Sequence, residues 1–177
     1  ARWNGSSWTS LGANGLDGDA LALTTFDDGS GGGSALYAGG LFTSAGGVAA
    51  NHIARWNGSS WSALGSGVTS RVMALAVFHD GNGPTLHAGG VNRVARWNGA
   101  TWSNLGGVNG LVNALTVFDD GSRETLCAGG EFEGLGGVAA SGVAAWDGSG
   151  WSRLGNEGGV NKAVRAMVAS DAVGPGG

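Results

Sequence analysis

The sequence predicts an all-β protein built from a repeated four-stranded antiparallel unit, and three observations carry that prediction. A tryptophan pair around a glycine turn recurs: ARWNGSSW at 1–8 and 54–61, ARWNGATW at 95–102 and AAWDGSGW at 144–151. Between these copies lie short runs rich in Val, Leu and Trp, bounded by Gly, Asp, Asn and Ser, which is the pattern of strands and turns. No window sustains a helical period.

Each unit divides into four strands, a to d. Strand a is an apolar run: ALALTTF at 20–26, VMALAVF at 72–78, VNALTVF at 112–118 and VRAMVAS at 164–170. Strand b ends in two glycines: ALYAGG at 35–40, TLHAGG at 85–90 and TLCAGG at 125–130. Strands c and d are the arms of the tryptophan hairpin. The joining segments have turn chemistry: DDGSGGGS, HDGNGP and DDGSRE between a and b, and NGSS, NGAT and DGSG between c and d.

The leading tryptophans, Trp3, Trp56, Trp97 and Trp146, are 53, 41 and 49 residues apart. That period, with four short strands per unit, describes the blades of a β-propeller, with strand a innermost and d outermost. The expected blades cover about 20–65, 72–106 and 112–155, with strands c and d at 1–12 and one strand a at 162–177. This is about three and a half blades, or fifteen strands. A closed four-bladed ring would lack one strand b. The expectation is therefore a segment of a larger ring, or one completed by self-association or by further blades.

A hydrophobic strand ending in Gly-Gly, then an aromatic, a turn and a second Trp, resembles the kelch repeat of galactose oxidase-type propellers. The phrasing LYAGG…ARWNGSSWSALG is similar to repeats of secreted bacterial proteins and of fungal polarity-marker surface proteins. The resemblance covers essentially the whole chain, with Trp in place of the usual Tyr on strand c and a tighter turn. It implies a propeller architecture and no particular activity, since one fold hosts many functions.

Composition narrows the function classes. Gly is the commonest residue, at 38 of 177, with only 2 Pro, so collagen is excluded. Hydrophobic residues make up 42%, too many for a disordered chain. The net charge is −4 and the 9 Lys and Arg are scattered, which argues against nucleic acid and anionic membranes as partners. No apolar run is long enough for a membrane helix, so no membrane insertion is expected. Cys127 is the single cysteine, so no intrachain disulfide exists. Polar character from Gly, Ser, Thr and Asn favours an extracellular or cell-surface location, with no export signal in this segment.

Catalytic constellations are missing from the sequence. Copper-radical chemistry of the galactose oxidase kind needs several tyrosines and paired histidines, whereas Tyr37 stands alone. Tyr37, His87 and Cys127 share one strand-b slot as interchangeable fillers. There is no G-x-S-x-G elbow and no phosphate-binding loop. The acidic turns Asp27–Asp28, Asp119–Asp120 and His79–Asp80 invite calcium, but no D-x-D-x-D-G loop is present. No catalytic residue, metal or other cofactor is expected.

The eight tryptophans, Trp3, Trp8, Trp56, Trp61, Trp97, Trp102, Trp146 and Trp151, sit at two repeat positions and are expected to pack across their hairpins and between blades. Binding is expected on the rim formed by the b–c and d–a loops. There, LFTSAGGVAANH (41–52) and EFEGLGGVAASG (131–142) share Phe42/Phe132 and GGVAA, which are expected to pack internally, but differ elsewhere, while the middle unit has only VNR at 91–93. The candidates are Asp17, Asp19, Asn51, His52, Arg93, Glu131 and Glu133. The leading expectation is a non-catalytic binding or scaffold module whose partner is another protein. The alternatives are a carbohydrate-binding propeller that uses its tryptophans on a glycan, and an accessory propeller of an enzyme whose catalytic residues lie elsewhere.

Overall fold

The computed structural model describes residues 1–81, 83–119, 121–154, 160 and 163–170. Among these the chain is all-β, without helix, and every ladder is antiparallel. A leading hairpin joins β1 (Arg2–Trp3) to β2 (Trp8–Thr9). The first complete unit is a four-stranded meander: β3 (Ala20–Phe26), β4 (Ala35–Gly40), β7 (Ile53–Trp56) and β8 (Trp61–Ala63). Within its b–c connection lies a small hairpin, β5 (Ser44–Ala45) with β6 (Val48–Ala49).

The second unit uses β9 (Val72–His79), β10 (Pro84–Trp97) and the first part of β11 (Trp102–Asp119). The Pro84 end of β10 pairs with β9, while Arg96 near its other end reaches Asp80, one residue past β9. β10 therefore doubles back, and Asn92 takes a left-handed φ of 60° at the bend. β11 serves as strand d of this unit and then as strand a of the next. The third unit continues with β12 (Glu124–Glu131), β15 (Val143–Trp146) and β16 (Trp151–Arg153), with the small hairpin β13 (Gly134–Leu135) and β14 (Val138–Ala139) in its b–c connection.

Two expectations need correction. The long b–c segments are hairpins, not open loops. Gly46–Gly47 and Gly136–Gly137 all take positive φ, from 61° to 86°, the geometry of a two-residue turn between antiparallel strands. The count of fifteen strands also changes, because these hairpins add four short strands and β10 and β11 each merge two. Residues 163–170 form no strand and join no ladder among the described residues; 171–177, where the predicted strand a was to finish, lie outside them.

Turn chemistry sets the tryptophan hairpins. Asn57 Oδ1 accepts hydrogen bonds from the Ser59 and Ser60 amides, each at 2.9 Å, and Gly58 supplies φ 101°. Asn4, Asn98 and Asp147 repeat this arrangement. The turn holds the two tryptophans opposite each other, with ring centroids 5.3–5.6 Å apart and planes tilted 44–53° in all four copies. For Asp147 the amides of Gly150 and Ser149 and the Ser149 hydroxyl hold the carboxyl well below the usual range.

The core lies between consecutive units. Phe26, Tyr37 and Ile53 of the first pack with Val72, Leu86 and Trp97 of the second. Val94 of the second packs with Val112, Leu135 and Trp151 of the third. The first glycine of strand b permits this approach, since a Cβ at Gly89 would lie 2.7 Å from Val112 Cγ1; the second packs within its own unit, where a Cβ at Gly90 would strike the Arg71 carbonyl. Each junction is then fastened at its outer edge. The indole Nε1 of Trp61 donates to the Leu11 carbonyl at 2.8 Å, Trp102 to Leu64 at 3.2 Å and Trp151 to Leu105 at 2.9 Å.

Removing one such donor strands a carbonyl in a closed junction. Trp151→Phe is expected to cost about 1–3 kcal/mol from the unmade hydrogen bond. Trp8, exposed at 68%, is expected to tolerate Trp8→Phe within about 0.5 kcal/mol. Urea unfolding of the two variants reads both values; equal effects would contradict the junction role.

Candidate functional site

Each b–c hairpin lies against the d–a connection that precedes its unit. Leu16 bridges Ala45, and Val108 bridges Leu135. Asn51 Nδ2 donates to the Ser66 carbonyl at 2.9 Å and its own carbonyl accepts from Val68 N at 3.0 Å. In the middle unit, with no b–c hairpin, Ser70 Oγ donates to the Val91 carbonyl at 3.1 Å.

Asp17 is a clamp. Its Oδ1 accepts from the amides of Thr43 and Ser44 at 2.8 and 2.9 Å, and its Oδ2 from the Thr43 hydroxyl at 2.7 Å. Those bonds, led by the Ser44 amide, hold its carboxyl below the ordinary range. Its oxygens thus hold the b–c hairpin in place, a structural role, while the residue itself stays exposed. The third unit repeats the device with Asn109, whose Oδ1 accepts from Glu133 N at 2.9 Å and Gly134 N at 2.8 Å. Sequence reading missed Asn109, although Asp17–Gly18 and Asn109–Gly110 occupy the same place before strand a.

The other candidates divide by what holds them. His52 has φ 64°, and Gly142 in the same loop position has φ 74°. The contrast read as a difference in recognition is therefore a left-handed backbone site that favours glycine. The His52 amide donates to the Phe42 carbonyl at 2.9 Å, and its shielded Nδ1 has no hydrogen-bond partner. Phe42 and Phe132 are buried as expected. Arg93 is half-buried in the β10–β11 ladder, opposite Gly107. Asp19, Glu131 and Glu133 are exposed, and Glu131 lies 3.8 Å from Arg165. Leu41 and Val48 are also exposed. Among the described residues, the exposed side chains on this rim include Asp19, Leu41, Val48 and Glu133, with Glu131 beside its loose arginine pair.

The opposite face carries the acidic turns, and arginines on strand c occupy them. Arg55 Nε lies 3.5 Å from Asp28, whose carboxylate also accepts the Tyr37 hydroxyl at 3.2 Å. Arg96 pairs with Asp80; in the third unit, whose strand c carries no arginine, Arg123 of the a–b turn instead lies 3.4 Å from Asp147 of the c–d turn. Asp27 and Asp119 each accept the amide two residues on; Asp120 lies outside the described residues. No group of three or more His, Cys, Asp or Glu comes together as a metal site among the described residues.

Behind these turns sits the strand-b slot. Burial and the neighbouring Asp28 push the Tyr37 hydroxyl up to about 12. Burial raises the Cys127 thiol as well, which keeps it protonated and unreactive. His87 is fully buried, edge-on to Phe78, with Nδ1 at 3.1 Å from the Thr85 carbonyl and Nε2 unpartnered. Burial lowers it to about 4.

No protein-family model, curated protein or solved structure matches the chain.

The His87 environment fixes a sign. Unfolded, the imidazole gains its proton near 6.5, but in the fold it does so only near 4. Stability is therefore full above about 6.5 and falls as pH drops through that window, by about 3 kcal/mol in all. His87→Tyr, which recreates the Tyr37 arrangement beside Arg96 and Asp80, is expected to remove that part of the slope. Urea unfolding at pH 7, 5.5 and 4.5 compares the two chains; parallel slopes would contradict the assignment.

Proposed function

We propose that the chain is a non-catalytic binding or scaffold module of a secreted or cell-surface protein. On this reading its four-stranded units are kelch-like blades of a β-propeller, and the b–c and d–a rim docks another protein. The observation that carries the reading is the clamping of the b–c hairpins by Asp17 and Asn109, over Gly-Gly turns and buried phenylalanines. A rigid rim loses little conformational entropy on binding. At matching positions it presents Leu41 in one unit and Glu131 in another, and Thr43 in one and Glu133 in the other. Varied side chains on a fixed frame are a means of protein recognition.

A second reading, carbohydrate binding, is favoured by one observation. Trp3 and Trp8 are 50% and 68% exposed, unlike the tryptophan pairs closed inside junctions. Aromatic faces of this kind stack on apolar faces of sugars. The tilt of 51° between the two rings is that of the buried pairs, so it is a property of the hairpin and not a shape made for a sugar.

Arrays of extracellular proteins and of glycans, probed with the chain and two variants, separate the readings. Protein docking at the rim predicts a protein ligand whose affinity falls about tenfold or more with Glu131→Lys and Glu133→Lys combined, and is unmoved by Trp3→Ala with Trp8→Ala. Glycan-only binding, lost in the tryptophan variant and kept in the charge variant, would overturn it.

A further inference from the structure

The turn of the tryptophan hairpin occurs four times, and its copies differ at two positions that bear on chemistry. They read Asn4-Gly5-Ser6, Asn57-Gly58-Ser59, Asn98-Gly99-Ala100 and Asp147-Gly148-Ser149. The first two are Asn-x-Ser triplets with x other than Pro, the acceptor pattern for an N-linked glycan. The third lacks the hydroxyl and the fourth lacks the amide nitrogen. No other asparagine in the sequence is followed two residues later by Ser or Thr.

Such triplets arise often by chance, and the folded turn supplies the further argument. Asn57 Oδ1 accepts from the Ser59 amide, the Ser59 hydroxyl and the Ser60 amide, each at 2.9 Å. The carbonyl end of the side chain therefore builds the turn, and Nδ2 takes no part in those bonds. Asp147 shows that the nitrogen is dispensable to the turn. Its Oδ1 accepts the Ser149 amide and hydroxyl at 2.8 Å and the Gly150 amide at 2.9 Å, with an oxygen in place of Nδ2. At Asn98 the hydroxyl near Oδ1 is that of Thr101, one residue too far along and at 3.4 Å.

The turn also has room. Residues 57–60 are exposed, and a Cβ at Gly58 would meet nothing within 4 Å. Asn98 and Asp147 are exposed as well, in units packed against a complete preceding unit, so exposure belongs to the turn itself. These turns stand with the acidic a–b turns, as the Arg123–Asp147 contact shows, on the face away from the b–c hairpins.

We propose that Asn57 is the acceptor of an N-linked oligosaccharide, with Asn4 a second acceptor in the same turn. Asn57 Nδ2 attacks the anomeric carbon of a lipid-pyrophosphate-linked oligosaccharide. A C–N bond forms and the C–O bond to the pyrophosphate breaks. The lipid pyrophosphate leaves with the electron pair, and Nδ2 gives up one proton. Oδ1 keeps its three hydrogen bonds in the product, and the glycan leaves the b–c rim clear. The proposal rests on the extracellular reading, because this modification belongs to exported chains.

Secretion of the chain from cultured eukaryotic cells, behind an added leader peptide, tests the acceptor apart from that reading. Peptide mapping by mass spectrometry reads each turn before and after an amidase that removes N-linked glycans and leaves aspartate. Glycan is expected on Asn57 and Asn4, with Asn98 bare. Ala100→Ser, which completes the third triplet, is expected to add one glycan at Asn98. Asn57→Asp, which keeps the turn bonds as Asp147 does, is expected to lose one glycan and keep the native tryptophan fluorescence. Folded, secreted chain with bare Asn57, or glycan on Asn98 without the Ala100→Ser change, would overturn the proposal. Failure of the extracellular reading has a different signature: Asn57 is filled in this test, yet fractionation of the source cells finds the native chain inside them with Asn57 bare.

Discussion

Each unit of this molecule is held to the next by an indole N–H that reaches a leucine carbonyl across the junction. The donors Trp61, Trp102 and Trp151 and the acceptors Leu11, Leu64 and Leu105 recur at one place in every repeat. The bond matters because of its location. A four-stranded meander has too little apolar surface of its own to form a core, so burial happens between meanders. The indole fixes how far apart two sheets stand and how they are turned. It also consumes a carbonyl that would otherwise be trapped at the closed edge. The first glycine of each strand-b pair is the counterpart within the sheet, where an absent side chain lets Val72, Val112 and Val164 approach.

The rim inherits its geometry from these junctions. The Trp61 side chain packs under Gly46 of the first b–c hairpin, and Trp151 under Gly136 of the other. The same tryptophans that fasten the outer edge thus floor the loops, and Asp17 and Asn109 pin those loops from the side. Docking on this rim, as proposed, would require little of any one loop residue except exposure, since position is set from below. The opposite face is built differently, with strand-c arginines neutralising the acidic turns and a buried slot that accepts Tyr, His or Cys. The polar groups of that face are largely engaged with one another, and a partner would have to displace them.

Much of this was legible in the sequence because the repeat places like residues at like positions. The tryptophan hairpins, the Gly-Gly strands and the turns follow from local chemistry alone. The small hairpins at 44–49 and 134–139 were also signalled, by Gly-Gly between short apolar segments. With 38 glycines in the chain, that signal does not stand out. Asp17 could not be assigned from sequence, because its partner Thr43 is 26 residues away and only the folded junction brings them together. His52 and Gly142 looked like a recognition difference because backbone φ is invisible in a sequence. The exposure of Trp3, Trp8 and Leu23 was hidden for the opposite reason: identical motifs predict identical environments, and the environment here depends on whether a neighbouring unit covers them.

If the indole bonds govern the junctions, the indole protons report it directly. Exchange of the eight indole N–H protons, followed by NMR under native conditions, is the most direct measurement. Those of Trp61, Trp102 and Trp151 are predicted to exchange together, about a hundredfold or more slower than those of Trp3 and Trp8, because their release requires opening a junction. Exchange of all eight at one rate, or protection of Trp3 and Trp8 with the three junction indoles left fast, would contradict the account.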